Sequence, residues 1–145
     1  MTLPTDYREF IETYGGGEID ECLSISTPPV PESAYGDLLD GMDPALRIED
    51  SAALASYLPG GTPPRLLAFG ATAGGDVVHW LCVGPADTWR VATFRRQALY
   101  GTSPWTVFDG GMAEFVLAAF AGTIEPFSER FLSRESHHYL NWRDA

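Results

Sequence analysis

Residues 3–17 read LPTDYREFIETYGGG, a short amphipathic helix halted by three glycines. Leu3, Tyr7, Phe10, Ile11 and Tyr14 recur at spacings of three and four, so they form one apolar stripe. The opposite face carries Asp6, Arg8, Glu9, Glu12 and Thr13. Pro4 suits the first turn, where its missing N–H costs no hydrogen bond, and Gly15–Gly17 offer a residue that can leave the last turn with positive φ. Such a stripe must lie on a second element. The rest of the chain decides which.

Residues 18–26 hold Ile19, Leu23 and Ile25 and predict one short strand. Thr27-Pro28-Pro29-Val30-Pro31 forces an extended connection. Ser33 is placed to cap a brief helix with Tyr35, Leu38, Leu39 and Met42 on one face, ended by Gly41 and Pro44. A further helical piece is expected from about residue 50 to Leu58, before the break Pro59-Gly60-Gly61-Thr62-Pro63-Pro64. The chain then turns to β character. Runs at 65–69, 77–83 and 89–94, separated by Gly-rich turns at 70–76 and 84–87, predict an antiparallel meander. A β segment at 105–108 follows, then a helix capped by Asp109 and running to about residue 121, with Met112, Phe115, Val116, Ala119 and Phe120 at helical spacing. Residues 122–145 read as an extension whose Tyr139, Leu140 and Trp142 dock on the body.

The 145 residues suit one domain, and 45% apolar with 20% charged residues is a globular balance. No basic start with an apolar run marks a signal peptide, and the longest apolar runs are too short to span a bilayer, so a soluble, cytoplasmic protein is expected. Cys22 and Cys82 show no CxxC spacing and read as buried thiols of a reducing compartment.

Catalytic and cofactor signatures are weak. His79, His137 and His138 make neither HxxxH nor HExxH, so no metal site is read. No GxSxG elbow is present, and the adjacent acids Asp20-Glu21 and Glu49-Asp50 lack the apolar pocket that would raise one carboxyl. Gly15–Gly17 follow a helix, whereas a phosphate cradle precedes one. Arg90, Arg95 and Arg96 form the one local basic cluster and read as an ion-pairing strand edge. No catalytic residue and no cofactor is therefore expected. The alternative class, an enzyme or small-ligand protein, would use a pocket around Asp76, His79 and Trp80.

Charge is the sharper signal. The net charge is −11, and residues 1–60 carry 12 acids against 2 bases, a net of −10. A field of that sign repels nucleic acid and anionic membranes and attracts cationic proteins. Segment 18–50 holds nine carboxylates and one arginine. Glu18, Asp20, Glu21, Asp37, Asp40 and Asp43 are the expected partner-binding residues.

Beyond these physical readings, Leu3-Pro4, Tyr7, Phe10 and Tyr14-Gly15-Gly16-Gly17 resemble the LPxxYxxFLxxxNGG opening of the SUKH superfamily. Gly74-Gly75-Asp76 before the strand ending in Trp80 resembles its central hairpin, and Phe108 with Glu114, Phe115 and Val116 resembles its closing helix. Tyr14-Gly15 stands where Asn-Gly is usual, and two extra glycines precede the last helix. The resemblance covers about residues 3–121. It implies an α+β single domain over residues 1–145, with a central antiparallel sheet flanked by helices. It also implies a non-enzymatic binding function. Bacterial SUKH proteins are typically immunity proteins that neutralise a cognate polymorphic toxin, often a nuclease, and fungal relatives regulate cell-wall synthesis.

Overall fold

The glycine-stopped helix forms where its spacing places it. In the computed structural model, which describes residues 3–20, 22–27, 53–60, 65–96, 103–124, 126–127 and 137–142, α1 spans Thr5–Tyr14. Gly15 leaves the helix with φ +72°, and its N–H donates to the Ile11 carbonyl at 2.8 Å. The helix expected at 33–42, together with Glu21, Asp37, Asp40 and Asp43, lies outside the described residues.

Seven strands form one antiparallel sheet: β1 Gly17–Ile19, β2 Leu23–Ile25, β3 Leu66–Thr72, β4 Val77–Leu81, β5 Arg90–Phe94, β6 Trp105–Phe108 and β7 Tyr139–Asn141. Their order across the sheet is β6-β5-β4-β3-β2-β1-β7. A second helix, α2, spans Met112–Ala121, and single 3-10 turns lie at Ala55–Tyr57 and Ala86–Thr88. The fold is α+β, as the sequence implies.

Three expectations are corrected. The single strand expected at 18–26 is a hairpin, because Asp20 takes φ +54° and turns the chain between β1 and β2. The turn expected at 70–76 begins later, since β3 runs through Gly70 to Thr72 and carries a register shift at Phe69. That extra residue puts Phe69 in the main core beside Trp80, with ring centroids 4.5 Å apart. Finally, residues 139–141 do more than dock: they become the outermost strand, with Gly17 opposite Asn141 and Ile19 opposite Tyr139.

Alternation along the strands divides the core into two layers. Tyr7, Leu23, Ile25, Leu67, Phe69, Val78, Trp80, Val91 and Phe115 fill the face under the helices. Trp80 is its centre; the Tyr7 ring meets it edge-on at 4.8 Å, and the Tyr7 hydroxyl donates to the Ser26 carbonyl at 2.5 Å. Leu54, Leu66, Leu81 and Ala92 make a smaller cluster on the opposite face, flanked by Trp105 and Val107.

Candidate functional site

Helix placement comes first, because a groove lies between the helices. Each helix lacks a side-chain cap of its own and borrows one from a distant element. Thr5 N–H and Oγ donate to the Asp87 carboxylate at 2.7 and 3.0 Å, which seats the start of α1 on the 86–88 turn. These two bonds hold the Asp87 carboxyl below its ordinary value of 3.8. In turn, Asp6 Oδ2 accepts the Ala113 N–H at 3.0 Å and caps α2. Asp109, the cap expected from sequence, instead points to solvent and pairs with Arg90 at 3.0 Å. The reason is local: Gly111 occupies the cap position, and a Cβ there would lie 2.6 Å from Asp6 Oδ2. Of the two extra glycines, Gly111 makes room for the borrowed carboxylate.

Between α1, α2 and β7 lies a groove of about 420 Å³. Phe10, Tyr14 and Tyr139 form one wall as a mutual aromatic cluster, with centroids 5.0–5.6 Å apart. Val116, Leu117 and Phe120 form the other, and the Phe120 ring stacks on His137 at 3.7 Å. Buried Ile19 and Met112 make the floor. Its lips are exposed, Tyr14 at 51% and Leu117 at 64%. The Tyr139 hydroxyl donates to the Gly15 carbonyl at 2.5 Å, and burial pushes its pKa up to about 12.

Of the acidic residues expected to meet a partner, Glu18 and Asp20 are described, and they differ. Glu18 sits opposite Ser24 and Leu140 on the sheet face away from the helices. The Asp20 carboxylate is only 4% exposed: it accepts the His138 N–H at 2.7 Å and lies 2.6 Å from His137 Nδ1. Asp20 N–H also donates to the His138 carbonyl at 2.7 Å. This carboxylate fastens β7 to the β1–β2 turn, so it is not presented to a partner.

The alternative trio is dispersed. Trp80 lies in the core beneath the helices, while His79 faces the opposite layer, with Nδ1 3.2 Å from the Ala92 carbonyl and its ring against Trp105. Adjacent strand residues point to opposite faces, so these two do not share a pocket. Asp76 is fully buried and accepts the Arg96 N–H at 2.9 Å. Cys22 and Cys82 form no disulfide, and burial pushes the Cys82 thiol up to about 11 despite the Arg65 charge and the Leu67 backbone, keeping it protonated near neutrality. Among the described residues, no group of His, Cys, Asp and Glu is arranged to hold a metal. No described helix is long and apolar enough to cross a membrane.

A short helix carrying LPxxYxxF, a glycine stop seated against the sheet and a Gly-Gly-Asp hairpin over Trp80 are now placed in space. Residues 1–106 match the model of the SMI1 / KNR4 family (SUKH-1). The chain belongs to this family. No curated protein and no solved structure matches it. As a SUKH-1 domain it is a module of the immunity-protein-like or SMI1/KNR4 type, a group whose members are generally non-catalytic. The SUKH-1 match covers α1 and β1–β5 and ends inside β6, so α2 and β7 lie beyond it. The matched residues thus supply Phe10, Tyr14 and Ile19 to the groove, while Tyr139 and the whole α2 wall come from outside them.

The groove was hidden from sequence reasoning because its walls are about a hundred residues apart. Exposed Tyr14 and Leu117 at helical positions were its one local signal.

Proposed function

We propose that this SUKH-1 domain is a non-enzymatic immunity protein, which binds a cognate polymorphic toxin of the nuclease class and blocks its basic working surface. One observation carries the reading: within a SUKH-1 domain, residues 1–60 hold 12 acids against 2 bases, nearly all of the net −11. A toxin that grips nucleic acid needs a cationic surface for the phosphates, and a concentrated negative field both steers toward that surface and competes for it. Glu18, Glu21, Asp37, Asp40 and Asp43 are the contact residues in this reading, with Asp20 reserved for holding β7. No cofactor takes part.

The test is co-expression with the product of the adjacent gene, followed by binding kinetics at about 50 and about 500 mM salt. Reversal of Glu18, Glu21 and Asp37 to Lys is expected to slow association about tenfold or more at low salt and to flatten the salt dependence. Unchanged association after the three reversals refutes the acidic face. Absence of any complex refutes the immunity reading.

A further inference from the structure

We propose that the groove between α1 and α2 is the seat of an apolar anchor presented by a basic, amphipathic segment of a partner protein. This rests on the reading of the chain as a protein-binding module. It adds an apolar anchor to the charge-steered contact of the acidic 18–50 segment.

Three observations on the groove carry it. The surface is apolar and aromatic yet open: Leu117 is 64% exposed and stands across from Tyr14, itself half exposed. Leucine at that exposure on a helix is costly to leave wet, and contiguous apolar lips over a concave floor mark a docking surface more than scattered surface residues do. The walls are also held in place before anything binds. Asp6 fixes the start of α2 against α1, and the Asp20 bonds to His137 and His138 hold the β7 side. Pre-formed walls lower the ordering cost of an incoming anchor.

Charge names the occupant. Asp6 is the acid that lines the groove, with His137 and His138 on the β7 side, and the two helices expose Glu9, Glu12 and Glu114 outside it against Arg8 as their one base. An apolar trough in an acidic frame is complementary to an apolar stripe flanked by Lys and Arg. A second copy would bring the same acids face to face, and an anionic membrane would be repelled. The partner is therefore a cationic protein segment, with aliphatic or aromatic side chains entering between Tyr14 and Leu117.

The experiment uses the full chain, 15N-labelled, titrated with a synthetic amphipathic peptide of two LKKLLKL heptads and with its counterpart carrying Glu for Lys. Amide shifts are expected in residues 6–14 and 112–121 with the basic peptide, and affinity should fall as salt rises. Leu117→Lys and Tyr14→Ala are each expected to weaken binding about tenfold, and thermal unfolding should confirm that these exposed positions leave the fold intact. Shifts confined to other surfaces, equal binding of the acidic peptide, or unchanged affinity in Leu117→Lys would each overturn the proposal. So would a wild-type dimer in sedimentation that Leu117→Lys dissolves, which assigns the groove to a second copy. With the adjacent-gene toxin, a complex whose affinity ignores Leu117→Lys overturns the groove and leaves the immunity reading intact. A failure to bind that toxin, alongside peptide capture in the groove, overturns the immunity reading alone.

Discussion

Replacing Asp6 with Ala removes the cap that α1 lends to α2. The cap bond lost is the one the Ala113 N–H donates to Asp6 Oδ2 at 3.0 Å, beside a local one from the Tyr7 N–H to Oδ1 at 2.8 Å, and with them goes a negative charge at a helix N-terminus. A cap is worth about 1 kcal/mol and a charge so placed about 0.5 kcal/mol, so the expected cost is about 1.5 kcal/mol. For a chain of this length that lowers the melting temperature by about 3–6 °C. Asp6→Asn keeps an acceptor and should lose less than half as much. The geometry then makes a stronger demand. Gly111→Ala puts a Cβ 2.6 Å from Asp6 Oδ2 and must push the carboxylate off the helix, so alone it should cost nearly as much as Asp6→Ala. In the Asp6→Ala background nothing remains to displace, and the same change should cost almost nothing. Gly111→Ser in that background should restore stability, because position 111 has extended backbone suited to a cap and serine supplies its own oxygen. Thermal and urea denaturation of the wild type, three single variants and two double variants measure all of this. Additive costs for Asp6→Ala and Gly111→Ala would refute the borrowed cap, as would a serine that rescues nothing.

At Gly17 a Cβ would meet the Leu140 carbonyl oxygen at 2.1 Å, so Gly17→Ala should pry β7 from β1 and speed hydrogen exchange at residues 139–141 while the meander stays protected. Because Asp87 is held below 3.8 in the folded chain, its contribution is fully present above that pH and lost as pH falls through the lower folded value; Asp87→Asn should remove that part of the acid sensitivity in pH-dependent melts. Cys82 titrates near 11 when folded against 9.0 ordinarily, so stability should decline between those pH values, and a thiol reagent at pH 8 should label this half-buried thiol more slowly than a free cysteine. Rapid labelling in the native state would contradict that burial.

Spacing within a single element was enough for α1, since Tyr7, Phe10 and Ile11 face the sheet as the stripe requires. The meander β3–β5 was equally legible, because Gly-rich turns bound runs of β-branched and aromatic residues. What escaped depends on pairs far apart in the chain. No local rule links Asp6 to Ala113 or Thr5 to Asp87, and Asp109 looked like the better cap until Gly111 showed why it was passed over. The β1–β2 hairpin was hidden by its turn residue, for Asp20 takes a left-handed conformation usually left to glycine. That conformation fits a carboxylate bound to His137 and His138. Asp20 also shows why a charge count mistakes a structural acid for a surface one: sequence records the charge, and its exposure depends on strands that meet from opposite parts of the chain.

The β1–β7 ladder has a consequence for how the chain is made. Gly17 pairs with Asn141, so one side of β1 cannot find its hydrogen-bond partners until residues 139–141 have been synthesised. At ribosomal speed the gap of about 120 residues takes about 6–25 s, during which β1 offers its bare edge to any extended segment nearby. The three-residue strand is thus a closing stitch, and a nascent chain stalled before it would be the form most exposed to strand capture by a neighbour.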